Sequence, residues 1–144
     1  MLHSHTRIYI HLIWATKNRE RLFFGSPMEK TTSHLLEKAK SESIPFISLN
    51  IQPEHIHGII DLPTDKCLAD FMKKIKGECS FWINQSKLFP IKFNWGRGYG
   101  GYSVSASQLE TVKRYIQNQD AHHKNKSFKG EYEKWKREYG FFDD

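Results

Sequence analysis

Residues 44 to 62 read Ile-Pro-Phe-Ile-Ser-Leu-Asn-Ile-Gln-Pro-Glu-His-Ile-His-Gly-Ile-Ile-Asp-Leu. Ile44 to Ile51 alternates loosely, and His55 to Leu62 is rich in β-branched residues. Pro53 and Glu54 turn the chain between them, so the stretch predicts two strands in a hairpin. Upstream, residues 6–16 run Thr-Arg-Ile-Tyr-Ile-His-Leu-Ile-Trp-Ala-Thr, a third strand. Gly25, Ser26 and Pro27 follow. Ser26 as N-cap with Pro27 in the first turn predicts a helix from about residue 27 to 42, with Leu35, Leu36 and Ala39 as its apolar face. Downstream, Pro63, Thr64 and Asp65 end the hairpin. Residues 67–86 then place Leu68, Phe71, Met72, Ile75, Cys79, Trp82 and Ile83 at helical spacing.

Residues 91–106 are aromatic and Gly-rich and predict one or two strands. Gln108 to about His122 reads as a helix, and residues 128–140, with Tyr132, Trp135 and Tyr139, as a short terminal one. The order β-α-β-β-α-β-α predicts an α+β fold. It is ferredoxin-like in outline, a split β-α-β plan with a central antiparallel sheet, helices packed on one face and the other face open.

Composition narrows the class. A chain of 144 residues corresponds to one domain, 1–144, with room for its own core. Aromatic residues make up 14%, too many for a disordered basic tail. Two cysteines without a Cys-x-x-Cys exclude a disulfide framework and argue against a cysteine-based zinc finger. No apolar run is long enough to span a membrane, and Met-Leu-His-Ser-His-Thr-Arg at the start has no signal-peptide core, so a soluble cytoplasmic protein is expected. Lys plus Arg is 22 against 16 for Asp plus Glu; the resulting +6 fits a polyanionic partner without specifying one.

The sharpest local pattern is His55-Ile56-His57. On a strand both imidazoles share one face, and Ile56 packs to the other. Two histidines so placed can hold one divalent metal, although eight histidines in the chain leave a chance pairing open. The second pattern is Tyr115-Ile116-Gln117-Asn118-Gln119. On a helix Tyr115 and Gln119 lie one turn apart, with His122 and His123 close to the same stripe. Tyr115 equally suits an amphipathic core position. A nucleotide-hydrolysing histidine triad would need a further alternating histidine, and Ile59 stands there instead.

With these residues in view, the chain resembles the single-tyrosine HUH transposases of bacterial insertion sequences, the IS200-like transposases and their REP-associated relatives. The resemblance rests on five segments in order. They are His11-Leu12-Ile13-Trp14-Ala15-Thr16-Lys17-Asn18-Arg19, Glu54-His55-Ile56-His57-Gly58, the lysine-rich helix with its Lys76-Gly77 step, Trp95 to Ser105, and Lys113 to Gln119 followed by His122-His123. It spans residues 5–140, with Ser127-Phe128 and Glu131-Tyr132 similar to the usual tail. Glu54 stands where many members carry Asp or Asn, and Gly58 where Leu is common.

The resemblance implies that Tyr115 is the nucleophile, that His55 and His57 are metal ligands, and that Gln119 is the third ligand, with His123 as a competitor for that place. It implies Mg²⁺ or Mn²⁺, single-stranded DNA with a hairpin at the element ends, a 5′-phosphotyrosine intermediate, and a homodimer, with the histidines of one subunit joined by Tyr115 of either the same subunit or the other. A domesticated, non-catalytic hairpin-binding relative of the same fold is the alternative. No Gly-x-x-x-x-Gly-Lys-Ser/Thr is present, in keeping with strand exchange that conserves bond energy in the covalent link.

A single strand is held by aromatic faces and cationic side chains. Trp95, Arg97, Tyr99 and Tyr102 interleave that way, as would a Gly-rich aromatic sheet edge packed into a core or interface. Lys73, Lys74 and Lys76 on the second helix, Arg19 and Arg21 after the first strand, and Arg114 beside Tyr115 are further candidates for the phosphate backbone. An ordinary solvated face fits the lysines as well.

Overall fold

The computed structural model describes residues 4–118. In chain order these residues form β1 (Tyr9–Ala15), α1 (Gly25–Ser41), β2 (Ser48–Ile51), β3 (His55–Asp61), α2 (Leu68–Gln85), β4 (Gly100–Val104) and α3 (Leu109–Gln117). Single 3-10 turns at Lys17–Arg19 and Ala106–Gln108 complete the list. The sheet order is β2-β3-β1-β4 and every pairing is antiparallel. β3 lies between β1 and β2, the strands that α1 connects. This is the split β-α-β plan expected from the order of elements.

Strand periodicity gives the sheet two different faces. On one, Leu12 and Trp14 of β1, Ile51 of β2, and Ile56 and Ile60 of β3 join the main core. Leu35 and Ala39 of α1 and Phe71, Met72, Ile75, Cys79 and Ile83 of α2 close over them. The helical spacing read in residues 67–86 is therefore the buried stripe of α2. α1 departs from its reading in two ways. It begins at Gly25, with Phe24 at the N-cap and no side-chain cap, so Ser26 lies inside the first turn. Leu36 points outward, and buried Thr31 takes its place in the stripe with Leu35 and Ala39.

The other face was expected to be open, with all helices opposite it. It is not, because α3 contacts β2 and β3 there and sets Tyr115 against His57. The cause is apolar. Ile59 on that face is fully buried yet outside the main core, as is Ile116 of α3. Leu109, Val112 and Ile116 form the stripe that covers it. Among the described residues, nothing covers the β1–β4 side, where a groove runs.

Residues 91–106 yield one strand, β4, and an isolated bridge between Trp95 and Thr16. Residues 119–144 lie outside the described residues, and with them Gln119, His122, His123 and the terminal helix read at 128–140. Among the described residues, no helix is long and apolar enough to cross a membrane.

Candidate active site

β3 carries His55 and His57 on one face, and both side chains are completely buried. Their Nε2 atoms face each other at 2.9 Å. Each ring is held from behind at Nδ1. His55 Nδ1 lies 2.9 Å from Oε1 of Glu54, itself buried and paired through Oε2 with Arg21 Nε at 3.7 Å. His57 Nδ1 lies 3.1 Å from Nε2 of His11 on β1, with the two rings stacked at 5.3 Å between centroids. Burial pushes the His11 imidazole down to about 3, so this ring is neutral at physiological pH. Across the hairpin, Asn50 pairs in register with His57 and accepts from Gln52 Nε2 at 2.5 Å.

The donor set can be tested against a divalent ion. Two imidazole nitrogens about 2.1 Å from one ion at a right angle stand roughly 3 Å apart. The observed separation of 2.9 Å matches that, and both Nδ1 partners lie on the far side of the rings. Among the described residues no His, Cys, Asp or Glu makes up a group of three suited to a metal. A metal here would draw its remaining ligands from other donor types, from solvent or phosphate, or from residues outside the described range, where Gln119 lies.

Tyr115 sits on α3 over this face of the sheet, half-buried, its ring edge-on to His57 at 6.4 Å between centroids and 88° between planes. The histidine pair and Tyr115 of a single chain are thus neighbours. Arg114 is exposed, and Lys113 pairs with Glu110 at 3.5 Å.

Beside the histidines, across β1, runs an open groove of about 490 Å³. Ile13 and Ala15, which pair in register with His57 and His55, form part of its wall. Arg19, Arg97, Tyr99 and Tyr102 line it too. Asn18 and Arg19 both take left-handed backbone, at φ 58° and 54°, which is unusual for arginine and costs on the order of 1 kcal/mol. Gly96 is needed for close approach: a Cβ there would stand 3.2 Å from the Thr16 carbonyl oxygen and 3.3 Å from that of Ala15.

Several sequence candidates fall elsewhere. Trp95 is a packing residue. Its ring lies 4.8 Å from Phe93, 5.7 Å from Phe23 and 6.0 Å from Trp14. Those neighbours occupy the surroundings a stacked base would need. Lys76 is half-buried and donates to the carbonyl oxygens of Gly96 at 2.9 Å and Gly98 at 2.8 Å, and burial lowers its pKa. It ties the glycine loop to α2. Lys73 and Lys74 lie on the outer side of α2, in the helical layer across the sheet from the histidines, where Lys74 reaches Glu42 at 3.6 Å. Sequence reasoning left His11 without a role and read Glu54 only as a family variant. The alternation His11, Ile13, Ala15 on β1 was visible, but its meaning depends on the register with β3.

A family model described as IS200-like transposase matches residues 4–119. The chain belongs to the IS200-like transposase family. This transposase is 23% identical over 114 residues to the ISDra2 transposase TnpA of Deinococcus radiodurans, covering 76% of this chain and 81% of the relative. It is 22% identical over 125 residues to the IS200 transposase of Salmonella typhimurium, covering 83% and 81%. Its fold is similar to a crystal structure of a Deinococcus radiodurans R1 protein described as a transposase, with TM-score 0.67, 22% identity, and coverage of 83% of this chain and 95% of that one. It is also similar to a REP-associated tyrosine transposase bound to a REP hairpin, with TM-score 0.63, 16% identity, and coverage of 85% and 74%. Family membership supports a DNA transposase function.

Proposed function

We propose that this transposase cleaves and rejoins single-stranded DNA through a 5′-phosphotyrosine on Tyr115, with a divalent ion, Mg²⁺ or Mn²⁺, bound by His55 and His57 and completed by Gln119. The observation that carries the reading is the edge of Tyr115 against His57, whose Nε2 converges with that of His55. When bound, the ion supplies Lewis-acid stabilisation of the charge that develops on phosphate. The chain does the rest. Tyr115 Oη attacks phosphorus, the bond from phosphorus to the 3′ oxygen breaks, and that oxygen leaves as a 3′ hydroxyl. The phenolic proton passes to solvent as the new P–O bond forms, and the departing 3′ oxygen takes one proton from solvent, so no net proton is gained or lost. Rejoining is the same exchange reversed, with another 3′ hydroxyl attacking and tyrosine leaving. Two neutral imidazoles and one amide leave an ion its full charge, and the choice of Mg²⁺ or Mn²⁺ follows the family resemblance rather than the ligand type.

The DNA runs in the β1–β4 groove, where Arg19 and Arg97 meet phosphates and Tyr99 and Tyr102 meet base faces. The hairpin bound to the REP-associated relative supports a folded single strand as the partner. The active form is a homodimer. The deciding experiment incubates the protein with single-stranded DNA from its element end. A covalent adduct on a denaturing gel is expected with Mn²⁺ and is absent with EDTA, while hairpin binding survives EDTA. Hairpin binding without an adduct under any metal would favour the non-catalytic alternative.

Groove contacts and loop support are separable by salt. Arg97→Ala should weaken hairpin binding and reduce the slope of log affinity against log salt by about one, as loss of a single phosphate contact does. Lys76→Met should also weaken binding, through the loosened Gly96–Gly98 loop, but leave the slope at its wild-type value. A slope change for Lys76→Met equal to that of Arg97→Ala would return Lys76 to the phosphate contacts.

A further inference from the structure

The hydrogen bond between His11 and His57 has a direction that the ring chemistry decides. A neutral imidazole has one N–H and one lone pair. For His57 to present a lone pair at Nε2, its proton must sit on Nδ1, and that proton needs an acceptor. His11 Nε2 is the atom in place, at 3.1 Å. His11 meets His57 on its Nδ1 edge, away from the Nε2 that faces His55, so His11 is not placed as a third ligand. The arrangement mirrors that of His55, whose Nδ1 faces the Glu54 carboxylate.

We propose that His11 is a positioning residue that accepts the Nδ1 proton of His57, fixing the tautomer and ring angle that aim His57 Nε2 at the same point as His55 Nε2. This rests on the reading of His55 and His57 as a metal pair. Outer partners of metal-bound histidines commonly set ligand orientation and basicity, and their loss costs about 10- to 100-fold in affinity. The β1–β3 register makes the contact possible. Ile13 is the direct cross-strand partner of His57, and His11 sits two residues along β1 on the same face.

The test uses the full chain and Mn²⁺ alone, by titration calorimetry, with no DNA. His11→Leu removes the acceptor, and Mn²⁺ affinity is expected to fall roughly 10- to 100-fold. His11→Gln places an amide oxygen near the position of Nε2 and should return affinity to within about threefold of wild type. A second measurement covers the case in which His11→Leu does not fold. Imidazole ¹⁵N spectra of the wild-type chain loaded with Zn²⁺, a diamagnetic probe, should show the His57 proton on Nδ1 and a nitrogen–nitrogen coupling across the hydrogen bond to His11 Nε2. Wild-type Mn²⁺ affinity in folded His11→Leu, failure of folded His11→Gln to recover, or absence of that coupling would each overturn the proposal. His55→Ala serves as the control. If it binds Mn²⁺ as wild type does, the metal pair itself is wrong and the role of His11 falls with it. If it loses binding while His11→Leu keeps it, only the role of His11 fails.

Discussion

Tyr115→Phe is expected to reduce the covalent DNA adduct to background, a loss of at least about 10³-fold, while leaving the fold and hairpin binding close to wild type. Removing a nucleophile eliminates a chemical step rather than weakening a contact, so the effect is of the largest kind mutagenesis produces. Phenylalanine keeps the aromatic edge against His57, and Tyr115 is only half-buried, so stability should change by no more than about 0.5 kcal/mol. End-labelling adds a check on polarity. With a 5′-phosphotyrosine, a label on the 3′ end of the DNA migrates with the protein, and a label on the 5′ end leaves as a free fragment ending in a 3′ hydroxyl. His57→Ala should also abolish the adduct, but with Tyr115 intact. An adduct that persists in Tyr115→Phe and disappears in Tyr102→Phe would move the nucleophile to β4, where Tyr102 lines the same groove.

The features readable from the chain were those set by local periodicity. Alternation about Ile56 placed both histidines on one face and Ile56 in the core, since a strand has no other way to arrange three consecutive side chains. The apolar stripe of α2 was legible for the same reason. Features that depend on how elements meet were not. α3 shows an apolar stripe in sequence, but a stripe does not say which side of the sheet it covers; the buried Ile59 on the histidine face does. Trp95 and Lys76 have the composition of a nucleic-acid surface. Their side chains are instead taken up by Phe93 and Phe23 in one case and by two glycine carbonyls in the other. His11 acquires meaning only from the antiparallel register that sets β1 beside β3.

The family resemblance sets a leucine against Gly58 of this chain, and the structure supplies a reason for the glycine. Gly58 follows His57 on β3, so its missing side chain would point into the helical layer. A Cβ there would stand 2.8 Å from Cε1 and 2.9 Å from Cδ1 of Phe46. The Phe46 ring fills that space and is held between Trp14, stacked at 6.5 Å, and Phe71, edge-on at 6.2 Å. Phe46 and Gly58 therefore form one unit of packing, a large residue on the approach to β2 filling a vacancy on β3.

Gly58→Leu should destabilise the chain by about 2–3 kcal/mol, because the ring cannot retreat without disturbing both partners. The better strand propensity of leucine offsets only about 0.5–1 kcal/mol of the clash. For a chain of this size the midpoint of thermal unfolding should fall on the order of 10 °C. Phe46→Ala alone should also destabilise, by leaving a cavity. The double variant is the informative one. If leucine takes the volume that the ring vacated, Phe46→Ala with Gly58→Leu should be more stable than the sum of the single losses by about 1–2 kcal/mol. Additive losses would mean that the two positions do not share a volume and that Gly58 is tolerated for another reason. Gly58→Leu alone carries a further consequence, because His57 is its neighbour on the strand. A backbone displaced at Gly58 shifts the His57 ring relative to His11 and His55, so Mn²⁺ affinity should fall with stability in the single variant and recover with it in the double.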